Sequence, residues 1–136
     1  MKIAINGFGR IGRNVFKIAF ENKDMEVVAI NDLTDPATLA HLLKYDSTYG
    51  VYPKSVEAKA DAIVVDGKEI KIYAVRNPAE LPWKDLGVDI AIESTGVFAV
   101  AEGPKGGYKD HIKAGAKKVI LTVPSKDKID QTIVCG

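Results

Sequence analysis

Asn6-Gly7-Phe8-Gly9-Arg10-Ile11-Gly12-Arg13 follows directly on the apolar run Ile3-Ala4-Ile5. Together they read as a strand that turns sharply into a helix. Gly7 permits the tight turn, Gly9 keeps a side chain out of the way of an approaching pyrophosphate, and Gly12 lets the new helix lie close to the sheet. A helix beginning there points its free N–H groups and the positive end of its dipole at whatever anion sits in the turn. Glycine-rich turns are common, so the motif alone is equally well a structural turn. The flanking chain has to decide.

Working outward, Lys2 to Asn6 has no polar-apolar alternation, as expected of a central strand buried on both faces. From Arg10 to about Glu21, Ile11, Val15, Ile18 and Ala19 recur at helical spacing and are expected to face the core, with Arg13, Asn14, Lys17 and Glu21 outward. Glu26 to Asn31 gives a second buried strand, completing a right-handed βαβ unit. Asp32 closes that strand, 20 residues beyond Gly12. A carboxylate at this spacing can accept hydrogen bonds from both hydroxyls of an adenosine ribose; capping a strand end is the plainer role. The same charge would repel a 2′-phosphate, and Leu33 offers no cation to offset it, so NAD is expected over NADP.

Thr34-Asp35-Pro36 is a helix-start signal, with Thr or Asp as cap. Ala37 to about Tyr45 follows as a helix with Leu39, Leu42 and Leu43 inward, and His41 is expected at solvent or against a neighbouring loop. Ser47 to Pro53 reads as an irregular loop. Val56–Val65 and Lys68–Val75 flank Asp66-Gly67, a strong hairpin signal, and the second arm is the better third strand of the main sheet. Its end brings Arg76 to the carboxyl edge, where a guanidinium can meet an adenine, although a surface arginine fits the spacing nearly as well. Leu81, Trp83 and Leu86 suit a short helical turn, Trp83 as packing.

Val88 to Glu93 is the fourth strand, and Ser94-Thr95-Gly96 stands at its carboxyl end. In a doubly wound sheet the first and fourth strands are neighbours with a ligand crevice between them. The two small-residue turns therefore face each other. Beyond Phe98 the pattern breaks at Gly103-Pro104 and Gly106-Gly107. A helix is expected from about Tyr108 to Ala114, ending at Gly115 and carrying His111, which has no catalytic partner at a sensible spacing. Lys118 to Thr122 is the fifth strand, and Gln131 to Cys135 a possible sixth of undetermined direction.

The bulk composition agrees with one ordinary domain. With 136 residues, 46% hydrophobic and 27% charged, the chain can bury a core without metals or disulfides. A net charge of +1 gives no reason to expect nucleic acid or an anionic membrane as partner. No apolar run approaches a membrane span and no signal-peptide core follows Met1. One cysteine excludes an internal disulfide and fits a cytoplasmic location. No residue cluster suggests a metal site.

N-G-F-G-R-I-G-R, I-N-D-L-T-D, H-L-L-K-Y-D-S, L-P-W, E-S-T-G-V-F and A-G-A-K-K-V-I together closely resemble the cofactor domain of phosphorylating glyceraldehyde-3-phosphate dehydrogenases. The resemblance covers essentially the whole chain. It implies an α/β fold: a Rossmann-type doubly wound, mainly parallel sheet with helices on both faces and a β-hairpin before strand three, as one domain over residues 1–136. It implies NAD as cofactor and a cofactor site drawn from Asn6, Gly7, Phe8, Gly9, Arg10, Ile11, Gly12, Asn31, Asp32, Leu33, Arg76, Ser94, Thr95, Gly96, Phe98 and Thr122. Arg10 and Ile11 would meet the pyrophosphate, Asp32 the ribose, Arg76 the adenine, and the residues from Ser94 onward the nicotinamide half. Erythrose-4-phosphate dehydrogenases are similar but usually carry Glu at the position of Asp32, and rank second; a free-standing NAD-binding module is a further alternative.

Two departures stand out. Ala99 to Ala114 is a few residues longer than the common pattern. The family's nucleophilic S-C-T-T-N motif, its general-base histidine and its phosphate site find no match, and Cys135 lacks that motif's neighbours. The resemblance therefore implies a cofactor platform without a catalytic residue, inactive alone, whose partners in the full-length family are a catalytic domain and the other subunits of a tetramer. Self-association of the chain, or weak stability, is expected.

Overall fold

A computed structural model describes residues 1–134 of the chain. In order they form β1 (Lys2–Asn6), α1 (Arg10–Glu21), β2 (Glu26–Asn31), α2 (Pro36–Lys44), β3 (Tyr45–Asp46), β4 (Gly50–Val51), β5 (Val56–Ala58), β6 (Ala62–Val65) and β7 (Lys68–Tyr73). A 3-10 turn (Pro78–Glu80), α3 (Trp83–Leu86), β8 (Ile90–Glu93), α4 (Asp110–Lys113) and β9 (Lys118–Leu121) complete the set. Seven strands make one sheet in the order β5-β6-β7-β2-β1-β8-β9, and β7, β2, β1, β8 and β9 run parallel. This is the doubly wound arrangement, with β1 at the centre and the connections departing to either side of it.

The strands repeat one size pattern. Ile3-Ala4-Ile5 in β1 and Ile90-Ala91-Ile92 in β8 alternate large and small side chains. The isoleucines join a core with Phe8, Phe16, Leu39, Leu43 and Ile63 beneath α1 and α2. The alanines, with Ala29, face Leu81, Trp83, Val88 and Ala116 on the opposite side. Small side chains there let the short α3 and α4 turns sit close to the sheet, so length of helix is not needed to cover that face.

Several elements differ from expectation. The buried face of α1 consists of Gly12, Phe16 and Ala19, while Ile11 is 51% and Ile18 70% exposed. Phe16 wins this face because it meets Phe8 edge-on at 5.6 Å and stacks with Phe20 at 5.4 Å. On α2, Ala40 rather than Leu42 accompanies Leu39 and Leu43 inward. The loop after α2 contains a two-residue ribbon, β3 against β4. The expected arm Val56–Val65 is itself folded back as antiparallel β5 and β6, both joining the main sheet. Asp66 (φ 47°) and Gly67 (φ 80°) make the predicted hairpin turn into β7 with both residues left-handed.

At the carboxyl-terminal side, α4 is a single turn instead of a helix from Tyr108 to Ala114. Gln131–Val134 forms no strand, and Cys135, where that expected strand ends, lies outside the described residues. The preceding stretch binds the loop beneath it instead: Lys126 N–H donates to Ala99 O (2.9 Å) and Ala101 N–H to the Asp127 carboxylate (2.5 Å).

Candidate functional site

The chain reverses direction between strands at the carboxyl edge of β1, and there Gly7 is pressed against the turn that leaves β8. Gly7 has φ 89°, and a Cβ built on it would stand 2.7 Å from Thr95 N. Only glycine serves here, on both counts. Gly12 lies beneath the glycine turn itself, the place of its missing Cβ occupied by the Gly7 carbonyl. Gly9 differs: nothing lies within 4 Å of a Cβ added to it, so its open side is the crevice itself. Gly9 caps α1 without a side-chain hydrogen bond, leaving the amides of the first turn available to an anion.

Asp32 fastens this turn. Its Oδ2 accepts from Phe8 N–H (2.7 Å) and its Oδ1 from Thr34 N–H (2.9 Å), which holds the carboxylate at the crevice mouth with a lone pair free on each oxygen. Asn31 is oriented by both backbone groups of Val75: its Nδ2 donates to Val75 O (2.9 Å) and its Oδ1 accepts from Val75 N–H (2.8 Å). Asn31 Nδ2 then donates to Asn6 Oδ1 (2.7 Å), which leaves Asn6 Nδ2 to donate to Glu93 Oε2 (2.6 Å). The relay crosses the three central strand ends in one direction.

Glu93, fully buried, receives from the other side as well. Thr95 N–H (2.8 Å) and Thr95 Oγ1 (2.5 Å) donate to Oε1, and His111 Nε2 approaches Oε2 at 2.8 Å. Trp83 Nε1–H, a donor only, points at His111 Nδ1 (2.9 Å). Nδ1 is therefore the acceptor and Nε2 carries the proton, so His111 is neutral and donates to Glu93. Sequence reading took Trp83 as packing and found no partner for His111; the structure makes both supports of Glu93.

The crevice encloses about 700 Å³, within the usual range for a small-ligand site. Of the sequence candidates, Asn6, Gly7, Gly9, Asn31, Asp32, Leu33, Arg76, Ser94, Thr95 and Phe98 line it. Phe8 contributes its backbone N–H to Asp32 while its ring is in the core; Gly12 lies beneath the turn. Arg10, Ile11 and Gly96 are exposed at the rim, outside the lining, and Thr122 is bonded to Glu93 O (3.1 Å) at the end of β9. Val75, Val97 and Lys105 line the crevice without having been singled out. A lysine within Gly103-Pro104-Lys105-Gly106-Gly107 was the available signal, a cation on a glycine-rich loop. Asp110 holds that loop through Gly107 N–H (2.8 Å). Burial pushes its carboxyl up, but the Lys113 ammonium and that N–H outweigh it and leave it below the usual range.

These features fit a dinucleotide. Arg76 and Lys105 against Asp32 leave the lining with one excess positive charge, the helix start adds a partial one, and Ser94 Oγ is buried at the crevice wall without a hydrogen-bond partner among the described residues. Residues 1–101 match the family model of the glyceraldehyde 3-phosphate dehydrogenase NAD-binding domain. The chain belongs to that family. NAD is the cofactor of this domain. Over its whole length the chain is 71% identical to glyceraldehyde-3-phosphate dehydrogenase of Borreliella burgdorferi, and it covers 40% of that protein. It is 58% identical to the Thermotoga maritima enzyme, with 99% of the chain and 40% of the enzyme aligned. The Geobacillus stearothermophilus enzyme is 54% identical, with 100% and 39% aligned. The chain thus spans about two fifths of the length of the relatives it matches. Among the described residues no cluster suits a metal ion, and no helix is long and apolar enough to cross a membrane.

Proposed function

We propose that the chain, as one domain over residues 1–136, is the cofactor half of a phosphorylating glyceraldehyde-3-phosphate dehydrogenase, in which NAD accepts a hydride from an aldehyde phosphate. The observation that carries this reading is Asp32, anchored by Phe8 and Thr34 amides with a free lone pair on each oxygen facing the crevice. In this reading Asp32 takes the ribose hydroxyls, the amides at Arg10 and Ile11 the pyrophosphate, and Arg76 the adenine edge. Asn6, Asn31 and Leu33 complete the adenosine wall, and Ser94, Thr95, Gly96, Phe98 and Thr122 serve the nicotinamide half. No catalytic residue is assigned to the chain; the thiolate and base that such a reaction needs are supplied by the family's other half.

A second feature supports a role inside a larger enzyme. An apolar groove of about 280 Å³ lies between α1 and the β1-β8-β9 face, lined by Ile3, Val15, Ile18, Ile90, Ile92 and Ile120 among others. We assign the remainder of the enzyme as its cover. A single cysteine and the absence of a membrane-crossing helix among the described residues accord with a cytoplasmic setting.

Isothermal titration with NAD and NADP tests the reading. NAD should bind at least tenfold more tightly than NADP, and Asp32→Ala should weaken NAD by about tenfold or more, the scale of a charge-assisted hydrogen bond. No NADH should form with glyceraldehyde 3-phosphate and phosphate. Equal binding of NADP, or no heat with NAD, would defeat it.

A further inference from the structure

We propose that Glu93 selects the charge state of the nicotinamide ring, favouring the oxidised cofactor over the reduced one. The inference rests on the cofactor reading above. Glu93 ends β8 at full burial and accepts hydrogen bonds from four donors, two on each oxygen: Thr95 N–H and O–H, Asn6 Nδ2 and His111 Nε2. As a carboxylate, Glu93 has an acceptor position for each of the four, two on each oxygen. Its one ionisable partner among the described residues is His111, and Trp83 Nε1–H holds that ring in its neutral form.

A buried carboxylate without a cation is unusual, because removing a charge from water is costly unless an opposite charge repays it. The position of Glu93 shows what can. Asn6 and Thr95 both line the crevice, so the carboxylate is one hydrogen bond behind its wall. The two halves of a dinucleotide lie on either side of the switch point. Asp32 at the end of β2 marks the adenosine side, which leaves the nicotinamide half over the end of β8. The oxidised ring carries a positive charge, which hydride addition removes. Through a wall of fixed dipoles rather than water, the Glu93 charge attracts the first form and is indifferent to the second.

A merely structural Glu93 would not distinguish the two redox forms, and this gives the test. The protein and its Glu93→Gln variant are titrated with NAD+, NADH and ADP-ribose, which lacks the ring. The parent should bind NAD+ more tightly than NADH, and Glu93→Gln should cut that preference about tenfold, as expected for one charge at close range behind a protein wall. The loss in NAD+ affinity should exceed the loss in ADP-ribose affinity. An unchanged NAD+ to NADH ratio in the variant overturns the proposal, whatever the variant's stability. Glutamine offers one acceptor oxygen to four donors, so the variant can fail to fold; the parent then decides, because equal affinities or a preference for NADH also overturn it. Failure of the parent to bind all three ligands, ADP-ribose included, would instead sink the cofactor reading.

Discussion

Gly9 and Gly12 belong to one motif but do different work, and substitution separates them. A methyl on Gly12 would collide with the Gly7 carbonyl, which is backbone and cannot step aside. Gly12→Ala should therefore cost about 1–3 kcal/mol of stability, as overpacking does. A methyl on Gly9 meets nothing, and the residue is extended at φ −70°, so Gly9→Ala should stay within about 0.5 kcal/mol of the parent. Its methyl would stand in the crevice, and NAD affinity should fall. Thermal unfolding and calorimetric titration of the two variants read these outcomes; a Gly9→Ala protein that binds NAD like the parent would remove the pyrophosphate from this turn. At this scale the sequence was informative wherever the spacing is local. Asp32 is legible because a βαβ unit fixes its distance from Gly12. Glu93 is not, since its supports come from 18 residues onward at His111 and 87 residues back at Asn6, and no periodicity links them.

At the scale of elements, legibility followed length and neighbours. The start of α1 could be read from its glycines, yet its buried face could not be counted from apolar residues alone. Ile11 and Ile18 are as hydrophobic as Phe16, and what decides is that Phe8 stands beside Phe16 while no described residue covers Ile18. Strands of two residues, β3 and β4, are shorter than any alternation can reveal. The start of α2, by contrast, is written in its cap. Asp35 Oδ1 accepts from Thr38 N–H (2.9 Å) and Oδ2 from the Thr38 hydroxyl (2.7 Å), and Pro36 needs no donor partner. The Thr38 amide and then its hydroxyl hold the Asp35 carboxyl below its ordinary value. A depressed folded-state value means stability that is present above the unfolded carboxyl value, near 3.9, and lost as pH falls through the folded one. Asp35→Ala should lower the melting temperature by a few degrees at neutral pH. The gap between variant and parent should shrink as pH drops below the ordinary carboxylate range. A gap that persists at the most acidic pH at which both remain folded would show that the cap does not act through its charge.

For the whole molecule, the surface is larger than the mass requires. The chain exposes 8041 Å², whereas a compact monomer of 14.7 kDa has about 6,900 Å². Part of the excess is the groove between α1 and β8-β9, where Ile18 (70%) and Ile120 (49%) stand in water on either side of a wholly apolar floor. The doubly wound sheet explains why it is bare: α1 and α2 cover the β1-to-β6 side of that face, and among the described residues no helix crosses over β8 and β9. A contiguous apolar patch of this kind, exposed to water, drives association. The 136-residue chain should therefore sediment as a concentration-dependent mixture of monomer and larger species. Placing opposite charges on the two rims, Ile18→Glu with Ile120→Lys, should shift it to monomer. Because both positions are on the sheet face remote from the crevice lining, NAD affinity should survive the change. Analytical ultracentrifugation of parent and double variant at matched concentrations reads the difference. A parent that is monomeric across the concentration range would show that the exposed groove does not drive association.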